Sequence, residues 1–119
     1  MRSKRQYIDY LKDILSYSHK IEKFTQGIDF NQFLADEEKM LAVVHALQII
    51  GEAAKHLPRS LTKKYPEISW VDIVGMRNFI VHGYFIVDAE IVWKTVQQDV
   101  PLLCHVTEKM LEANQQNGD

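Results

Sequence analysis

Tyr7, Leu11, Ile14, Ser18, Ile21 and Thr25 return at intervals of three and four residues, with Ile8 and Leu15 widening the stripe. That is the period of one helix face, whereas a strand would alternate every second residue. The spacing predicts a first helix over about residues 4–26, ended near Gly27. Met40, Val43, Val44, Leu47, Ile50 and Ala54 repeat the pattern in a second long helix that reaches about His56. Ile91, Val92, Val96 and Leu103 repeat it again in a last helix, opened by Asp88 and running towards Glu112. Three such stripes can be buried only against one another, so the chain reads as all-α.

Punctuation between the stripes divides them. Residues 29–34 form a short extra turn of helix. Asp36 is placed as an N-cap, with Glu37 and Glu38 at the positive end of the helix dipole. Pro58 can start a short helix that Pro66 ends. Ser69 and Asp72 have the spacing of a capping box, with Asp where Glu or Gln is usual, and predict a helix over 69–82 stopped by Gly83. A hairpin competes locally, because residues 79–81 and 84–87 are β-prone and flank His82-Gly83. Helix is preferred, since His-Gly is a poor two-residue turn and a lone hairpin in a helical chain is marginal. Pro101 should kink the last helix. Residues 114–119 read as a frayed tail. No internal repeat, low-complexity tract or linker divides the chain, so residues 1–119 form one domain.

Bulk properties exclude several classes of function. No apolar run approaches the roughly 20 residues that span a bilayer, and the basic start of the chain has no apolar signal core behind it. A cytoplasmic location is expected. The one cysteine, Cys104, excludes an internal disulfide. A net charge of −2 is unsuited to coating nucleic acid. Lys55, His56, Arg59, Lys63 and Lys64 nevertheless cluster in a stretch without acids, which is either a solvated helix face or an anion-binding patch. His19, His45, His56 and His105 show no metal-ligand spacing with a supporting carboxylate or cysteine, so neither a metal site nor a cofactor is expected.

The stretch Met76-Arg77-Asn78-Phe79-Ile80-Val81-His82-Gly83-Tyr84-Phe85 holds the densest chemistry. It sets a permanent cation, an amide, a group that titrates near neutrality and a phenol among apolar residues. Polar groups in such a run either satisfy one another in a core or line a site. Arg77, four residues, His82, one residue and Tyr84 match the R-x4-H-x-Y motif of the HEPN superfamily. Ile49-Ile50-Gly51-Glu52-Ala53-Ala54, Tyr65-Pro66-Glu67-Ile68-Ser69-Trp70 and Gly75-Met76-Arg77-Asn78 resemble its HepT-like branch, in order and at similar spacing over nearly the whole chain. The resemblance implies an antiparallel four- to five-helix bundle and a homodimer whose motif helices meet at the interface. It also implies a toxin ribonuclease paired with a minimal nucleotidyltransferase antitoxin, which adds AMP to the motif tyrosine, here Tyr84.

Helix geometry bears on how the motif would act. At about 100° per residue, Asn78 and His82 share a face, while Arg77 and His82 stand about 140° apart. One protomer is therefore a poor way to aim Arg77 and His82 at one phosphate, whereas two motif helices crossing at a two-fold axis would bring them together reciprocally. The chemistry expected is metal-independent RNA cleavage. His82 would act as general acid or base, Arg77 as phosphate clamp, and Asn78 would orient either His82 or the phosphate. Tyr84 is either the modified residue or a core aromatic with a tethered hydroxyl. Glu52 either faces the site and tunes His82 or lies in solvent. The alternative function is a non-catalytic HEPN module that binds nucleotide or a partner, with Arg77 gripping phosphate and His82 structural. A scaffold with a buried polar cluster is a third reading.

Overall fold

The computed structural model describes residues 6–76 and 88–116, and every regular element among them is helical. The first helix, α1, spans Tyr7–Thr25. The Asp9 carboxylate closes its first turn by accepting the Gln6 backbone N–H at 3.0 Å. Gly27 follows its end with φ of 77°, a conformation in which a side chain would be strained. The short turn expected over 29–34 is α2, Phe30–Ala35. Its capping box is reciprocal: Asp29 Oδ1 accepts from Gln32 N, and Gln32 Oε1 accepts from Asp29 N.

Helix α3 spans Glu37–Lys55, and Asp36 caps it by accepting the Lys39 N–H at 3.0 Å. After Pro58 comes α4, Arg59–Thr62. It stops short of Pro66 because Lys64 and Tyr65 donate to carbonyls three residues back, tightening the chain into turns. Helix α5 spans Trp70–Gly75. The Ser69–Asp72 capping box does not form, since the Ser69 side chain makes no cap bond. Asp72 instead lines a small cleft with Asp99 and Leu102, and the Trp70 indole N–H anchors the turn by donating to the Tyr65 carbonyl at 3.1 Å. The rest of the helix expected over 69–82, its stop at Gly83 and the competing hairpin fall outside the described residues.

Asp88 opens the last helix, its Oδ1 accepting from the backbone of Glu90 and Ile91. This helix comprises α6, Ala89–Lys94, a π-helical turn at Thr95–Asp99, and α7, Val100–Gln116. The irregularity expected at Pro101 takes the form of that π turn. The Val100 N–H reaches back five residues to the Thr95 carbonyl. The looser winding just ahead of Pro101 gives room for a ring that would otherwise strike the preceding turn. Helix continues to Gln116, so the first three residues of the tail expected to fray, 114–116, are helical.

The long helices pack antiparallel about α1. On one side the Tyr10 ring stacks on His56 with centroids 4.5 Å apart, and Lys39 Nζ donates to the Phe24 carbonyl, which sets α3 against α1 in reverse. On the other, the Tyr7 hydroxyl donates to Asn114, and His19 faces Cys104 and Glu108, which sets α7 against α1 the same way. Leu11, Ile14, Ile21, Val43, Leu47, Ile50, Val100, Leu103 and Met110 fill the space between. Trp70, Trp93 and Met40 are partly buried at its rim. Trp93 closes the α2 end against Phe33, with centroids 5.1 Å apart.

Candidate functional site

Arg77, Asn78, His82 and Tyr84 lie outside the described residues; the fold positions what leads into and out of them. Ile73 and Met76 are buried, so the residue immediately before Arg77 is anchored in the core. Asp88, immediately after the segment, is fixed as a cap. The described chain is thus secured on either side of the motif, at the end of α5 and at the start of α6.

Glu52 is exposed on α3, with its carboxylate 3.5 Å from His56 Nε2, one turn further along the helix. His56 in turn stacks on Tyr10. The carboxylate, imidazole and phenol ring therefore form a chain across the α1–α3 seam, beside the basic cluster. Lys55, His56, Arg59, Lys63 and Lys64 are all exposed, from the end of α3 through α4 and the turn after it. These side chains are available to solvent and to anions alike.

On the opposite side of α1 the fold assembles a group that linear spacing hides. Cys104 Sγ, on α7, lies 3.7 Å from Nδ1 and 3.9 Å from Nε2 of His19, on α1. Nε2 is 3.8 Å from the Glu108 carboxylate, and Nδ1 is 3.7 Å from that of Glu22. Burial pushes the Cys104 thiol up to about 11, and the nearby Glu22 and Glu108 carboxylates add to it. The thiol is thus protonated at neutral pH and a weak nucleophile. Sequence separation of 85 residues between His19 and Cys104 concealed this cluster; the i,i+3 pair of His19 and Glu22 and the i,i+4 pair of Cys104 and Glu108 were its local signs.

The Ribonuclease HepT-like family model matches residues 14–110, which includes all of the motif. A relative from Thermococcus cleftensis, named "Probable ribonuclease HepT", is 44% identical over 107 residues, covering 90% of this chain and 97% of its own. "Putative RNase MJ1380" from Methanocaldococcus jannaschii is 39% identical, over 83% of this chain and 91% of its own. "Putative RNase TTE0752" from Caldanaerobacter subterraneus subsp. tengcongensis is 35% identical, over 87% and 92%. No solved structure matches the chain. A family match across the core helices and the motif together, with relatives aligned nearly end to end, leads to one conclusion: this chain belongs to the HepT-like family.

Proposed function

We propose that the protein is a metal-independent endoribonuclease, the toxin of a toxin–antitoxin pair, acting as a homodimer. The observation that carries this reading is the coincidence of the family match over 14–110 with an intact Arg77, His82 and Tyr84 motif. In the proposed reaction His82 takes the proton of a ribose 2′-hydroxyl, and that oxygen attacks the adjacent phosphorus. The bond to the 5′-oxygen breaks, and the leaving oxygen is protonated. Products are a 2′,3′-cyclic phosphate and a 5′-hydroxyl. Arg77 holds the phosphate oxygens and offsets the charge that grows on them. Asn78 orients His82 or the phosphate, and Glu52 is the supporting carboxylate on α3. DNA, which has no 2′-hydroxyl, would not be cut.

Control would fall to a minimal nucleotidyltransferase. Its transfer of AMP from ATP joins the Tyr84 phenol oxygen to the α-phosphorus and releases pyrophosphate. The new phosphodiester anion would occupy the Arg77 clamp, and the adenosine would block RNA.

The test is cleavage of RNA by the purified protein in the presence of a chelator. His82→Ala should lower the rate by about 10²–10⁴-fold, and Arg77→Ala by about 10²–10³-fold, both with unchanged helical content. Equal background in wild type and variants, with nucleotide binding retained, would replace the enzyme by the binding module. Loss of fold in both would point to the scaffold.

A further inference from the structure

We infer that His19, Cys104 and Glu108 form a site for a zinc-class divalent cation, clamping α1 to α7, with Glu22 orienting the histidine. The three donors come from two antiparallel helices, and their ligating atoms all lie within 4.8 Å of one another. Zinc bonds of about 2.0–2.3 Å, arranged tetrahedrally, place donor atoms about 3.3–3.8 Å apart. Sγ lies 3.9 Å from Nε2, and Nε2 lies 3.8 Å from the Glu108 carboxylate, both close to that scale before any metal draws them in. The imidazole, whose side chain is 54% exposed, has room to turn and aim Nε2 at a common centre.

The donor set is selective. One thiolate sulfur, one imidazole nitrogen and one carboxylate oxygen suit zinc, whereas magnesium and calcium take oxygen. Glu22 stands beside Nδ1 and Glu108 beside Nε2, with Cys104 Sγ almost equidistant from the two nitrogens. A carboxylate behind the non-ligating nitrogen is the usual support of a zinc-bound histidine, fixing its tautomer and direction. The charges agree with this assignment. Two carboxylates crowd a thiol here, and a dication would offset them and release the thiol proton. The fourth coordination position is left to water.

Such a clamp acts where α1 and α7 meet and draws no donor from residues 77–87. Its failure and that of the ribonuclease reading are therefore separable, because neither test reads the other's residues. The experiment is titration of the chelator-treated, full-length protein with Co²⁺ as a spectroscopic probe, and with Zn²⁺ in a calorimeter. The expected result is one metal per chain, a thiolate-to-cobalt charge-transfer band, release of about one proton per zinc and a higher Tm with zinc but not with magnesium. Cys104→Ser should abolish the band, and His19→Ala and Glu108→Gln should each weaken affinity at least tenfold. Glu22→Gln should weaken it about 10–100-fold while keeping the band, and His45→Ala should change neither. His19 and Glu108 are half-exposed, so those two variants decide the matter even if Cys104→Ser does not fold. Absence of the band in wild type, or wild-type affinity in both His19→Ala and Glu108→Gln, overturns the site.

Discussion

Ser18 Oγ and Thr107 Oγ1 are buried, on α1 and α7 respectively, without a hydrogen-bond partner among the described residues. A hydroxyl removed from water and left unmatched costs about 1–3 kcal/mol. Thr107→Val keeps the shape and removes the hydroxyl, so it should stabilise the protein by about 1 kcal/mol and raise Tm in thermal unfolding. Asp99 offers a second test, this one dependent on pH. Burial, followed by the charge of Asp72, holds its carboxyl above the ordinary range, with Lys94 pulling the other way. A carboxyl raised in the fold is penalised when ionised, so the cost is present above the folded value and vanishes below the unfolded one. Asp99→Asn should therefore raise Tm at pH 7, with an advantage that shrinks on acidification and is gone below about pH 3.9.

At the scale of the element, what was readable depended on how far apart the partners lie in sequence. Asp36 and Asp88 were legible as caps because each bonds a backbone group within three residues. Asp36→Ala should accordingly cost about 1 kcal/mol, read as a lower midpoint in urea unfolding. Ser69 looked equivalent, yet Asp72 shares its cleft with a residue of another helix, so local spacing misjudged it. Pro101 was expected to kink the last helix, and a π turn lies just ahead of it. The π turn and the proline balance one another, since the former adds a residue to the winding and the latter forbids a regular turn. Deleting Gln98 alone should destabilise by about 3 kcal/mol, the cost of proline within a regular helix. Combining the deletion with Pro101→Ala should recover most of the loss, a coupling that a double-mutant cycle measures.

For the whole molecule, the helical class and three long stripes were legible because apolar period alone dictates them. The His19–Cys104 pairing was not, because only tertiary packing brings its halves together. The proposed dimer also lies beyond one chain's pattern, but it has a sharp test. If each site takes Arg77 from one protomer and His82 from its mate, mixing Arg77→Ala with His82→Ala protein builds one intact site per mixed dimer. About a quarter of wild-type RNA cleavage should return after random exchange, whereas sites confined to one protomer would stay dead. Val71 is 83% exposed on α5, six residues ahead of Arg77, and Val71→Lys should lower the dimer fraction in sedimentation if this face is covered.

The placement of α1 between α3 and α7 has a consequence for biosynthesis. Helix α1 is synthesised before α7, yet the flank that faces α7 has no neighbour until residues 100–116 have followed. A nascent or truncated polypeptide ending before residue 100 would leave that flank open and greasy, and should be cleared by proteases rather than accumulate.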